Sequence, residues 1–132
     1  MIQRIQSIYL LVATVLLAAE VCLTFTENWR AEASTDWILV PVISMMAGSV
    51  SSLIAIFQFS NRKTQVKTVM MSQVFNLVAC LSLIAIVYVF SFVIVNLVWA
   101  IAGIVIAYIF NFFARKAILK DEALVRAADR IR

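Results

Sequence analysis

The sequence has no histidine and only two cysteines, two glycines and one proline among its 132 residues. The cysteines, Cys22 and Cys80, stand in separate apolar runs without the short spacings of metal or redox motifs. We therefore expect no metal site and no cofactor. No Ser–His–Asp set, no paired carboxylates suited to acid–base chemistry and no phosphate-binding glycine loop occur, so we do not expect an enzyme.

The positions of the two cysteines also argue against a disulfide. Cys22 falls near one end of an apolar segment, whereas Cys80 falls near the middle of another. Their Cα atoms would then be too far apart for a bridge. We expect both to be small buried packing residues.

Charge is scarce as well. Charged residues make up 14% of the chain and hydrophobic residues 64%, and the mean hydropathy is +1.03. Soluble domains contain about 45–50% apolar and about 25% charged residues. A water-soluble fold of this size could not bury so much apolar surface. The composition predicts an all-α membrane protein.

Four segments are long and apolar enough to span a bilayer, which needs about 20 apolar residues. The stretch Thr68–Ala114 has no charge over 47 residues. As one helix it would be about 70 Å long, so it must fold back, with a turn near Phe90–Asn96. Pro41 is expected in the first turn of the second span, where its missing N–H costs little. The sequence predicts one membrane domain, a four-helix bundle with spans at about 5–25, 37–59, 67–89 and 94–114 and a charged helical tail at 115–132.

The loops sort by charge. With the N-terminus inside, the inner segments hold ten of the eleven lysines and arginines, and the net charge is +4. The outer loop Thr26–Asp36 holds only Arg30. The positive-inside rule then predicts that both termini are cytoplasmic.

Glu20 is the only acidic residue within a predicted span. Carboxylates inside a membrane are rare and form a functional hypothesis by default. Glu20 lies about one and a half turns from the outer end, where it could reach water or headgroups, and we expect it to be a locally hydrated or hydrogen-bonded structural residue. Contact with a partner and proton coupling are the alternatives. A small proton-coupled multidrug exporter also has a first-span glutamate, but its weak charge bias and glycine-rich later helices have no counterpart here.

Small and polar residues recur at helical spacing inside the spans. Small residues stand four apart at Ser44, Gly48 and Ser52 in the second span, a pattern that lets helix backbones approach closely in lipid. It indicates packing within the bundle or docking against another protein's helix. Gln73 and Asn76 share one face of the third span. They could line a polar site, but hydrogen bonding across helices is the commoner role, also expected for Asn96 and Asn111.

The last 18 residues carry six cations and three anions. Their alanine, leucine, lysine, arginine and glutamate favour a helix that continues the fourth span into the cytoplasm. Glu122 and Arg126 stand at i,i+4, which adds helix stability. A short apolar stripe runs along this helix at Leu124, Ala128 and Ile131.

Three segments carry a family resemblance: MIQRIQSIYLL at Met1–Leu11, NRKTQ at Asn61–Gln65 and KDEALVRAADRIR at Lys120–Arg132. With them the chain resembles the domain-of-unknown-function family 4293, small four-helix inner-membrane proteins of Bacteroidota. The resemblance extends over the whole length. It implies a multi-pass bacterial inner-membrane protein, and it implies no activity because the family has no established function. The three segments share the predicted cytoplasmic face, which suggests that this face carries the function.

Two classes of function remain. The first is an accessory subunit or assembly factor of a larger membrane complex, for example one for protein translocation or membrane-protein biogenesis. The second is a small transporter or lipid-binding bundle that uses Glu20, Gln73 and Asn76. The expected partners are the lipid bilayer and other integral membrane proteins; contact with nucleic acid or a ribosome is weaker, because positive-inside explains most of the excess charge. The candidate partner-contact residues are Gly48, Ser52, Arg62, Lys63, Lys120, Asp121, Glu122, Leu124, Arg126, Asp129 and Arg130.

Overall fold

The computed structural model describes residues 2–24, 35–90 and 94–129. They form four helices: α1 (Ile2–Thr24), α2 (Thr35–Phe57), α3 (Arg62–Phe90) and α4 (Ile94–Asp129). Each is long and apolar enough to cross a membrane. The predicted all-helical, four-span class is confirmed. The predicted outer loop and the second turn fall mainly on residues 25–34 and 91–93, outside the described residues.

The helices form a closed ring in which each packs against the next and α4 packs against α1. Neighbours run in opposite directions: Leu10 of α1 packs with Ala55 near the end of α2, whereas Leu17 lies beside Gly48, further back along α2. Short connections between antiparallel neighbours are typical of an up-and-down four-helix bundle.

The third helix begins earlier than the predicted span because Asn61 caps it. The Asn61 side-chain oxygen accepts a hydrogen bond from the Thr64 amide at 3.4 Å, and its carbonyl accepts one from the Gln65 amide at 2.9 Å. An N-cap asparagine satisfies backbone donors that the first helical turn leaves free. Residues 62–66 are therefore helical rather than part of the loop.

The position of Pro41 differs from the prediction. Because α2 begins at Thr35, Pro41 is its seventh residue and lies in the second turn rather than the first. It cannot donate the helical hydrogen bond to the Trp37 carbonyl, four residues earlier. The helix continues through this position to Phe57.

Many large apolar side chains point outward and several polar side chains point inward, the pattern expected of a bundle in lipid. The interior contains two apolar clusters separated along the helices by a layer of buried polar residues. The cluster nearer the α2–α3 loop consists of Leu10, Ala55, Val69, Ala114 and Ile118. The cluster nearer the opposite end consists of Met45, Ala79, Leu83, Ala100 and Ile104. Exposed apolar residues on the outside include Ile8, Leu11, Val15, Ile43, Leu81 and Ile109.

Candidate functional site: the polar interior and the loop end

Between the two apolar clusters, three polar side chains from three helices bind one another. The Ser52 and Ser72 hydroxyls lie 2.7 Å apart, and the Asn111 amide nitrogen donates to Ser72 at 3.1 Å. Ser52 donates to the Asn111 side-chain oxygen at 3.2 Å, and Ser72 lies 2.9 Å from the Gly48 carbonyl. All three side chains are fully buried. This serine–asparagine layer therefore joins α2, α3 and α4 at the bundle centre.

One turn along α3 from Ser72, Asn76 has a different environment. Its side chain is buried at 1% exposure, yet neither amide atom finds a hydrogen-bond partner among the described residues. The Asn76 Oδ1 atom fits closely over Gly48 of α2, because a Cβ built on that glycine would lie 2.8 Å away. Gly48 thus leaves space for the Asn76 amide, but the described residues offer it no hydrogen bond.

Glu20 lies inside the bundle, against α4. It is buried at 8% exposure, and a Cβ added to Gly103 would overlap its side chain, lying 2.5 Å from the Cδ atom. The Glu20 Oε2 atom has no hydrogen-bond partner within the described part of the chain. Gly103 therefore leaves space for the Glu20 carboxyl group, and the side chain turns inward against α4.

Some of the polar residues that were predicted to form hydrogen bonds between helices do so, and others do not. Asn111 forms such bonds. Asn76 does not, and the Nε2 atoms of buried Gln6 and Gln73 likewise find no partner in residues 2–24, 35–90 and 94–129. The side chain of Asn96 lies outside the described residues.

The two cysteines differ from each other. Both are free thiols, but Cys22 is exposed on α1. The expectation that it is a buried packing residue is wrong, because the inward face of α1 at this end is taken by Glu20 and Thr24. Cys80 is half-buried and lines a groove between α3 and α4.

The small-residue ridge of α2 faces the bundle interior. Gly48 packs over Asn76, and Ser52 belongs to the serine–asparagine layer. Both are buried. Gly48 and Ser52 were predicted as candidate partner contacts, but both lie inside the bundle, where a docking protein would not reach them.

The segments that carry the family resemblance meet at the α2–α3 loop, which we call the loop end of the bundle. Arg62 Nη2 lies 3.0 Å from the Asp121 carboxylate, and Arg62 Nη1 donates to the Asp121 carbonyl at 3.1 Å. This double contact ties the start of α3 to α4, 59 residues later. Next to it, buried Gln65 donates to the Ala55 carbonyl at 3.0 Å. The middle and last segments therefore form one contact site.

The first segment supports the same end of the bundle. Tyr9 of α1 packs against Phe110 and Phe113 of α4, with ring centroids 6.0 and 6.1 Å apart. Tilted aromatic pairs at such distances are favourable. Leu10 fills the adjoining apolar cluster.

Beyond Asp121, α4 continues without a break to Asp129. Arg126 pairs with Glu122 along the helix. Leu124 is 51% exposed and Val125 is 43% exposed. Of the other candidate contacts, Lys63 and Lys120 are exposed, and the side chains of Asp129 and Arg130 lie outside the described residues. We call Glu122–Asp129 the distal tail helix.

Sequence reasoning missed two site residues. Ser72 joins the central layer, and Tyr108 lines the groove beside Asn76. A signal for Ser72 was present, because it stands four residues before Asn76 and so shares its helix face. Tyr108 carried no comparable signal in a span rich in aromatic residues.

The four apolar helices with a polar interior define a multi-pass helical membrane protein. Within that class the chain belongs to the family described as domain of unknown function (DUF4293), whose profile matches residues 2–131. The predicted family is confirmed. No curated protein and no solved structure matches the chain.

Proposed function

We propose that the protein is a non-enzymatic accessory subunit or assembly factor of a larger bacterial inner-membrane complex, such as one for protein translocation or membrane-protein biogenesis. In this proposal both termini are cytoplasmic and the distal tail helix docks on a partner. The observation that carries it is that the distal tail helix is anchored at its start and exposed beyond it. Arg62 forms an ion pair with Asp121, just before this helix, while Leu124 and Val125 on it are exposed.

The fixed base supports docking through the entropy of binding. A free tail would lose conformational freedom on binding, and ordering each residue costs about 1–2 kcal/mol. Here α4 is one helix of 36 residues that is held by Arg62 where it leaves the bundle. Such preorganisation lowers the cost of association.

The surface of the distal tail helix favours a protein over lipid. Near an anionic leaflet each lysine or arginine contributes about 1 kcal/mol, and acids oppose it. The acids Glu122 and Asp129 stand in this helix with one cation, Arg126, and Leu124 and Val125 add exposed apolar area. Mixed charge around an apolar pair suits a complementary protein surface, where charges set register and partner choice.

Truncation tests the docking role. Deleting Leu124–Arg132 is expected to leave membrane insertion and abundance intact but to remove co-purifying membrane proteins from a gentle detergent extract, as measured by mass spectrometry. Leu124→Asp should have the same effect, whereas Ala127→Ser, an exposed neighbour on the same helix, should not. Retention of the same proteins at full yield after truncation would refute the proposal.

The proposed topology has its own test. In a variant without native cysteines, single cysteines at Ser34 and Asn61 should react oppositely with a membrane-impermeant thiol reagent applied outside. We expect labelling at position 34 and protection at position 61. The reverse pattern would place both termini outside.

The second candidate function, a small transporter or lipid-binding bundle, is favoured by the burial of Glu20 against Gly103. Proton-dependent flux through reconstituted vesicles that Glu20→Gln abolishes would establish it. We expect no such flux, because Glu20 has a packing role in the ring of helices.

A further inference from the structure

A groove of about 320 Å³ lies between α3 and α4. It is lined by Asn76, Leu77, Cys80, Ile104, Val105 and Tyr108. Among these side chains Asn76 carries an amide, Tyr108 a hydroxyl and Cys80 a thiol, and the remaining walls are apolar. Ligand sites commonly combine an apolar cavity with a few polar groups that orient the ligand.

The Asn76 amide is the feature that needs a partner. It is 1% exposed, and neither of its polar atoms is hydrogen-bonded within residues 2–24, 35–90 and 94–129. In hydrocarbon an unpaired polar group costs several kcal/mol, since no water is available. Its oxygen lies against Gly48, and its nitrogen is buried at the wall of the groove, where a turn of the side chain would offer it as a donor to an acceptor in the groove.

The depth of Asn76 restricts the ligand. Within the uncharged part of α3, Thr68–Phe90, Asn76 stands 8 residues from one end and 14 from the other. At 1.5 Å per residue it is about 12 Å from one end and about 21 Å from the other, well inside the hydrocarbon core. Phospholipid headgroups and ester carbonyls lie at the interface, so an ordinary lipid offers this amide only hydrocarbon.

We propose that the α3–α4 groove binds a membrane-soluble carbonyl compound of the quinone class, with the Asn76 amide donating to a ring carbonyl. Such a molecule is apolar enough to reach the bilayer centre and carries acceptor oxygens there. The ring of Tyr108 and the sulfur of Cys80 provide polarisable walls for a flat ring. This site lies in the membrane, apart from the distal tail helix, and does not rest on the docking proposal.

Cys80 provides a native reporter for the groove, and exposed Cys22 is its internal control. The full-length protein in phosphatidylethanolamine–phosphatidylglycerol nanodiscs is treated with N-ethylmaleimide, and alkylation of each cysteine is followed by mass spectrometry. The probe is a fully ring-substituted alkyl quinone, which has no free ring position for thiol addition. An alkylbenzene of matched size without carbonyls serves as the control compound.

We expect the quinone to slow alkylation of Cys80 several-fold and to leave Cys22 unchanged. Asn76→Leu, similar in size, should abolish this protection. Gln73→Leu removes another buried amide on the same helix, outside the groove lining, and should preserve it.

Three outcomes would overturn the proposal. The quinone could fail to protect Cys80. The alkylbenzene could protect it equally, which would make the groove a site for apolar chains alone. Asn76→Leu could instead release a co-purifying membrane protein without changing quinone protection, which would assign the amide to a partner helix.

Discussion

The two buried asparagines lie in neighbouring layers of the bundle, and the fold treats them oppositely. Asn111 binds two serines from two other helices. Asn76 is equally buried, but its amide is without a hydrogen bond in the described part of the structure. Polar residues in lipid therefore do not all serve to join helices in this protein.

The difference follows from what faces each side chain. Asn111 meets hydroxyls at hydrogen-bonding distance, whereas Asn76 meets Gly48 on one side and a groove on the other. In the first layer polar groups satisfy one another, which favours association in a solvent without water. In the second, an open groove takes the place of a partner. The first layer is structural, and the second is the better candidate for binding.

The largest expected effect comes from filling the space beside Glu20. Gly103→Ala would place a methyl group onto the Glu20 carboxyl group, so we expect a loss of about 1–3 kcal/mol in unfolding free energy, as for overpacked cores. The unfolding midpoint of the purified protein in mild detergent measures it. In a Glu20→Ala background the same substitution should cost much less. Additive effects would show that the two residues do not interact.

The next effect tests the serine–asparagine layer. Asn111→Leu keeps the approximate side-chain size but leaves Ser52 and Ser72 without their amide partner. Hydrogen bonds between membrane helices contribute about 1–2 kcal/mol in model peptides, and we expect a loss of that order in the same unfolding assay. A stabilised variant would contradict a structural role for this layer.

Asn76→Leu is the matched comparison. It removes no hydrogen bond seen in the described residues, and it relieves the cost of a buried unpaired amide. We expect a change between zero and about 1 kcal/mol in the stabilising direction, measured in quinone-free detergent. A loss as large as that of Asn111→Leu would show that Asn76 has a structural partner and would remove the contrast between the layers.

The number and approximate extent of the helices could be predicted from the sequence, because these depend on each segment by itself. Apolar length and the 47-residue uncharged stretch predict four helices, and the three quoted segments predict the family. The start of α3 was predicted five residues late because the capping role of Asn61 depends on a local geometry that hydropathy does not record.

Contacts between helices were the part that sequence could not supply. Asn76 and Asn111 look alike in the sequence, and only their neighbours on other helices separate them. The inward turn of Glu20 depends on Gly103, far along the chain on α4. Helical spacing identifies which residues share a face, but not which helix that face meets.

The smallest expected effect tests the base of the distal tail helix. Arg62→Met removes the contact with Asp121 while keeping a long apolar stem. The two side chains are 24% and 15% exposed, so solvent screens the pair, and we expect only about 0.2–1 kcal/mol of lost stability. The tail should respond more clearly than global unfolding: a spin label at exposed Ala127 should gain mobility, and limited proteolysis beyond Asp121 should quicken. Lys63→Met removes the adjacent exposed cation and should change neither readout. If both variants leave the label and the cleavage rate unchanged, α4 holds the tail by helix continuity alone, and the ion pair does not preorganise it for docking.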